Sequence, residues 1–492
     1  MLISGAEIAG YRPVDLRCTG ERIVEIGVAL QRRAGETRLD AGGGALLPGL
    51  HDHHIHLYAL AAAQLSVDCG PPQVTSPGAL ARALQGRALQ LQQRHARLHQ
   101  EPPGTTGWIR GTGYHDSVAG ALDRWHLDRM VAERPVRVQH RSGKLWMLNS
   151  AACALLNLDR PRAHPLVESG IERDDSGRAT GRLFRLDDWL RDQLGNRDVP
   201  DLSHTSLQLA GMGVTGVTDA TPTNSATLLA LLTTAVQSGQ LLQRVLLMGD
   251  EQLPEPGHRL LTRGPLKILL DDYRLPAFDG LCERIARTHC QDRSVAIHCV
   301  TPTELVFALS ALIETGSMPG DRIEHASVTP DAALALLRDA AVTVVTQPGL
   351  VRERGDQYLA EVERREQPWL YRCRSLVDSG IPLGGSTDAP YGSADPWSAM
   401  AAAVQRRTRS GQNIGSTEQL SPERALALFT SSATAPGGPP RRLAPGMLAD
   451  LCLLDRPWAD ARARLTAGDV AATIRGGEVI YRRDTAQTPP LD

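Results

Sequence analysis

The sequence predicts an α/β protein: a (β/α)8 TIM barrel with a small β-sandwich domain formed by both chain ends and a large insertion after barrel strand 1. Three observations predict it. Short apolar runs alternate with helix-like stretches through the middle of the chain, the pattern of βαβ units around a parallel sheet. Eight such runs occur, the number that closes a barrel. Both chain ends read as short β-runs broken by turns, so they can pair into one small sheet domain.

In chain order, residues 1–47 carry β-like runs at Met1–Ile8, Val14–Cys18, Arg22–Ile26 and Arg38–Leu47. The first barrel strand ends in His51–His56. An insertion over about 65–210 follows. It holds an amphipathic helix from Pro77 to Gln100, capped by Ser76 with proline in its first turn, and strand-like runs at Trp108–Thr112 and Val136–His140. Seven more barrel strands are predicted at Gly213–Thr218, Arg244–Met248, Leu266–Leu270, Ser294–Val300, Arg322–Ala326, Val342–Thr346 and Pro382–Ser386. Helical stretches at Ser225–Ser238, Pro302–Thr315, Pro330–Ala340 and Glu363–Ser379 separate some of them. The Pro/Gly-rich Ala435–Pro440 is the hinge. The barrel therefore occupies 48–435, and 436–492 returns to the small domain through runs at Asp450–Leu454, Val470–Ile474 and Val479–Arg482.

Composition narrows the function. With 42% hydrophobic and 22% charged residues the chain is globular rather than disordered. A formal net charge of −2 argues against nucleic acid and an anionic membrane as partners. No run approaches a membrane span, and the start lacks a signal-peptide shape. Eight scattered cysteines without a CxxC pair fit reduced thiols, so a cytoplasmic enzyme acting on a small-molecule substrate is expected.

The chemistry begins at Pro48-Gly49-Leu50-His51-Asp52-His53-His54-Ile55-His56. Residues two apart on a strand share a face, so His54 and His56 can present two imidazoles together, a ready pair of ligands for zinc. His298, His325 and Asp388 sit where later strands end, and in a parallel barrel those ends converge on one mouth. Of 53 basic residues only Lys144 and Lys267 are lysine. Lys267 lies in the apolar run Leu266-Lys267-Ile268-Leu269-Leu270, where burial lowers an amine's pKa and makes it nucleophilic. Reaction with CO2 would make it an anionic oxygen ligand; pairing with Asp271 or Asp272 is the plainer alternative.

The series His54/His56, Lys267, His298, His325 and Asp388 resembles the metal-dependent amidohydrolase superfamily. The segments Gly107–Tyr114, Gly213–Asp219, Arg322–Ala326, Leu420–Leu426 and Leu443–Asp450 narrow the resemblance to the amidohydrolase-3 branch, which includes YtcJ-like proteins and N-substituted formamide deformylases. The resemblance implies a hydrolase with one or two divalent ions, zinc being expected. In the two-metal form His54, His56 and Asp388 hold one ion, His298 and His325 the other, and carboxylated Lys267 bridges them. A metal-bound hydroxide then attacks the carbon of an amide, formamide, cyclic imide or ureido C–N bond, with Asp388 as general base. Lys144 would bind a substrate carboxylate or an oxyanion if its loop covers the mouth, and Tyr114 and His115 are further substrate-side candidates. Oligomers are common in the superfamily, so a homo-oligomer is possible.

Three segments depart from the branch's pattern: Cys299-Val300-Thr301 after His298, Ser142-Gly143-Lys144 where Asp-Gly-His is usual, and Asp271-Asp272-Tyr273 in place of Asp-Gly-Ser. They bear on substrate identity. One rival reading is a mononuclear aminohydrolase that deaminates an amino-substituted heterocycle with Lys267 uncarboxylated. The other is a non-catalytic member of the fold, against which the complete ligand set argues.

Overall fold

Eight parallel strands follow one another around the central sheet of the computed structural model, which describes residues 1–98, 107–195 and 199–483. They are β1 (Leu50–Ile55), β2 (Val214–Asp219), β3 (Arg244–Gly249), β4 (Leu261–Leu269), β5 (Val295–Cys299), β6 (Arg322–His325), β7 (Thr343–Thr346) and β8 (Leu383–Gly385). Each lies near its predicted position; β4 starts five residues earlier than predicted, at Leu261. The strands are buried along almost their whole length, as expected where helices cover one face and the barrel fills the other. The first and last strands meet at the C-terminal rim. There the Asp388 amide donates to the His54 carbonyl at 2.9 Å and the His56 amide to the Ala389 carbonyl at 2.9 Å.

Local signals set most helices. Pro302–Thr315 begins with a reciprocal cap in which Thr301 accepts from the Glu304 amide while the Glu304 carboxylate accepts from the Thr301 amide. The expected helix over Glu363–Ser379 is replaced by a helix at Gly349–Glu361, a 3-10 turn at Gln367–Trp369 and a short helix at Cys373–Asp378. Pro368 sits in that turn and interrupts any continuous helix through it. Gly349–Glu361 carries little apolar periodicity, but tertiary packing buries Leu350, Val351 and Gly355. A Cβ at Gly355 would meet Thr408 Cγ2 at 2.6 Å, so the glycine admits this close approach.

The chain ends form two four-stranded sheets. One holds Leu2–Ile8, Tyr11–Thr19, Arg22–Gly27 and Arg38–Asp40; the other holds Leu46–Pro48, Leu451–Leu454, Val470–Arg475 and Glu478–Arg482. Ile3, Leu16 and Ile23 from the first share one buried cluster with Leu451, Leu453 and Ile474 from the second.

The chain divides into two units, Met1–Leu57 with Asp201 onward, and Tyr58–Pro200. Against the expected 65–210, the second unit spans Tyr58–Pro200, and the helix Ser203–Gly211 leads directly into β2. Taken by itself, the insertion is a six-stranded sheet, of which the sequence exposed two strands. Leu80 and Leu84 of the helix Pro77–Leu98 share one buried cluster with Ile109, Val136 and Val138 of the sheet; the last two residues of the helix's predicted span lie outside the described residues. Among the described residues no helix is long and apolar enough to cross a membrane.

Candidate active site

Alternation along β1 divides its histidines between two sides. His51 Nε2 lies 2.9 Å from Thr218 Oγ1 and His53 Nε2 lies 3.0 Å from Ser431 Oγ, so both are spent on structure. His54 and His56 turn the other way, their Nε2 atoms 3.6 and 3.4 Å from Asp388 Oδ1. Donor atoms of these three residues all lie within 4.8 Å of one another. The His325 ring stands 4.8 Å from that of His54 and 4.4 Å from that of His298. The backbone is left-handed at His325 (φ 71°), Ala326 (φ 45°) and Asp388 (φ 56°). Non-glycine residues hold such angles only where surroundings impose them, which happens disproportionately at functional sites.

Hydrogen bonds behind the cluster fix which nitrogen each imidazole offers. The Glu324 carboxylate accepts from His54 Nδ1, leaving the Nε2 lone pair toward Asp388. Arg322 Nε donates to the other Glu324 oxygen, and its Nη2 donates to the His53 carbonyl at 3.0 Å. Gln347 Nε2 donates to Ser386 Oγ at 2.9 Å, which turns the Gln347 carbonyl oxygen to His325 Nδ1 at 2.8 Å. His325 therefore also offers Nε2. Thr221 Oγ1 lies 3.1 Å from His56 Nδ1. Such outer partners set ligand tautomer and orientation in metal sites. Asp52 ties β1 to β8 by accepting from the Thr387 and His54 amides at 3.1 and 3.2 Å; burial pushes its carboxyl up to about 7.

Burial also sets the charge of the cluster. It lowers His54 to about 3 and holds His298 and His325 below the usual imidazole range, so all three are neutral. Burial opposes ionisation of Asp388, but the hydrogen bond from His56 and the surrounding imidazoles hold its carboxyl below the usual range. Glu324 likewise stays ionised against burial through Arg322, Lys267 and His54.

Lys267 is 3% exposed, and its Nζ has no hydrogen-bond partner. Burial pulls the amine down to about 8, with Glu324 and Asp388 opposing. The alternative pairing does not form: Asp271 accepts from the Tyr273 amide and Asp272 from the Thr301 hydroxyl. An unsatisfied buried amine costs free energy. Neutral nitrogen donors, an ionised carboxylate and an orphaned amine in one cluster fit a divalent cation.

The other expected residues lie in the insertion. Tyr114 is a correction: it is fully buried in the insertion core and its hydroxyl donates to the Gly120 carbonyl at 2.6 Å, the position of a packing residue. His115 caps the short helix Asp116–Ala119, its Nδ1 accepting from the Ser117 amide. Lys144 lies exposed in the turn between Val136–His140 and Leu145–Leu148. Sequence reading missed Glu324, Arg322, Gln347 and Thr221. The first two had a signal: Arg-Ile-Glu-His places two opposite charges on one strand face immediately before a candidate ligand histidine.

These ionisations predict acid lability of the metal-free protein. Unfolded imidazoles take up protons as pH falls through 6.5, whereas His53 and His54 resist until about 3, and His51, His298 and His325 shift the same way. Asp52 works in the opposite sense but alone among this group. Stability is therefore full above about pH 6.5 and declines below it. The urea midpoint is expected to be lower at pH 5 than at pH 7.5; an unchanged midpoint would contradict the buried neutral cluster.

Comparison with known proteins follows the same lines. The sequence pattern of a family described as the amidohydrolase family matches residues 38–481. The N-substituted formamide deformylase of Arthrobacter pascens is 26% identical over 541 residues, covering 96% of this chain and 97% of that protein. An uncharacterized metal-dependent hydrolase from Pyrococcus horikoshii OT3 superposes with a TM-score of 0.71 at 20% identity, over 92% of this chain and 97% of that one. The 5-methylcytosine deaminase of Klebsiella pneumoniae superposes with a TM-score of 0.54 at 15% identity, over 100% of both chains.

Proposed function

This chain belongs to the amidohydrolase family, and from that premise we propose that it cleaves the C–N bond of a small amide or formamide, using divalent metal at the barrel mouth. The observation that carries the reading is the orphaned Lys267 amine beside neutral His54, His298 and His325 and ionised Asp388. His54, His56 and Asp388 would hold one ion and His298 and His325 a second. Lys267 would join them after its Nζ bonds to the carbon of CO2 and releases a proton. Bound divalent metal supplies Lewis acidity and brings the pKa of water toward about 7.

The protein's own residues do the rest. Glu324 and Gln347 keep the Nε2 faces of His54 and His325 on the cluster. The Asp388 carboxylate, reached by both first-strand imidazoles, accepts the proton of the attacking water and passes it to the leaving nitrogen. Its low proton affinity makes this protonated form short-lived, which suits a relay. The formamide class is favoured by the likeness to the Arthrobacter enzyme across nearly the whole chain.

Zinc-loaded protein is expected to release formate from N-(2-phenylethyl)formamide, to lose that activity on dialysis against a chelator and to regain it with zinc. Ammonia release from cytosine without formate release from any formamide would overturn this reading in favour of an aminohydrolase.

A further inference from the structure

We propose that Arg354 forms an anion subsite beside this centre, so that the preferred substrate carries a carboxylate near its scissile C–N bond. The inference rests on the hydrolase reading above and adds a substrate class to it.

Arg354 lies on the helix Gly349–Glu361, which begins two residues after Gln347, the partner of His325. Its Nη2 donates to the Tyr391 carbonyl at 2.5 Å. Tyr391 follows Asp388 by one turn, its amide donating to the Asp388 carbonyl at 2.8 Å, and its ring stands edge-on to His56 at 5.6 Å. The guanidinium is thus fastened to the loop that carries a metal-ligand candidate, next to a tyrosine that touches another.

What Arg354 lacks is an acid. Among the described residues it forms no ion pair, and its single hydrogen bond leaves four of its N–H groups unspent. The neighbouring carboxylate, Glu353, accepts from the Ser393 amide at 3.0 and 3.2 Å instead. Tyr358 and Tyr371 flank the guanidinium and are occupied with each other, their hydroxyls 3.1 Å apart. Other arginines beside the centre are matched to carboxylates, as Arg322 is to Glu324. A half-buried guanidinium with a flat fork of unspent donors suits a carboxylate better than any neutral group. Asp388, the nearest site carboxylate, is committed to the imidazoles. An N-acyl or N-formyl amino acid has the required pair of groups, an amide and a carboxylate in one small molecule.

Two probes that differ only in the carboxylate test this: N-formylphenylalanine and N-(2-phenylethyl)formamide. Binding to the metal-free full chain is measured by calorimetry, and formate release is measured separately with zinc-loaded protein. N-formylphenylalanine is expected to bind at least about tenfold more tightly than the neutral probe. Arg354→Gln, which keeps a donor for the Tyr391 carbonyl but no charge, is expected to abolish that ratio. Arg354→Lys is expected to restore part of it. Equal binding of the two probes to the wild type, or a ratio unchanged in Arg354→Gln, overturns the subsite. If the charged probe binds through Arg354 but no formate is released from either, the subsite stands and the hydrolase reading fails. Formate release from the neutral probe with a ratio near one has the opposite meaning.

Discussion

Replacing Lys267 by Met is expected to lower kcat/KM by about a thousandfold or more while leaving the metal-free protein as stable as the wild type, or more so. The two effects have separate origins. In the absence of CO2 and metal, the amine is buried without a partner, and its fall from 10.5 to about 8 corresponds to roughly 3 kcal/mol of lost stability at neutral pH. The unfolded chain holds that proton through 10.5 and the folded chain only through about 8, so the penalty is fully present below pH 8. Met fills similar volume and has no charge to strand. Activity is expected to fall because the variant could not form the proposed carbamate ligand, and Lewis-acid stabilisation is worth several kcal/mol. Protein grown with added zinc and bicarbonate is expected to hold two metals per chain, and the variant one or fewer. One metal in both proteins would remove the bridge and favour the mononuclear aminohydrolase. A destabilised variant would mean that Lys267 has a structural partner after all.

Glu324→Leu carries the largest expected effect on folding. Glu324 is fully buried between His54 Nδ1 and Arg322, which is itself 2% exposed. Removing one partner of a buried pair strands the other, at about 3–5 kcal/mol. The paired change Arg322→Met with Glu324→Leu removes both charges and is expected to recover most of that loss, since an apolar pair can replace a buried ion pair. It cannot restore the carboxylate that orients His54, so zinc affinity stays lower by about 10–100-fold. Urea melts and zinc titrations of the three proteins separate the two roles. Equal stability of single and double variants would show that Arg322 does not depend on Glu324 for its charge compensation.

The barrel strands were legible because each is a short apolar run between punctuating turns, and burial on both faces leaves little else for them to be. The ligand candidates on them were legible for the same reason: a histidine or lysine in such a run is conspicuous. The helix Gly349–Glu361 was not, because its formation depends on packing against partners distant in sequence rather than on its own periodicity. Arg354 was hidden with it. Among 51 arginines, Arg354 cannot be told from the rest until its place beside the Asp388 loop is seen. Tyr114 misled in the opposite way, since a tyrosine in a glycine-rich strand end reads equally as a contact or as core. Gln347 and Thr221 gave no sign, being common polar residues whose importance lies in what they face.

The seam between β1 and β8 has a consequence for how the enzyme is made. Asp52 and Thr387, which join across it, are 335 positions apart, and the candidate ligands His54, His56 and Asp388 straddle the same seam. While a ribosome is still extending the chain, the first-strand histidines emerge long before the aspartate that completes their cluster. A growing chain or one cut short therefore offers an ion two imidazoles and no third donor from this set. Metal capture at this cluster becomes a late event in biosynthesis, and a loaded site certifies that the barrel has been closed.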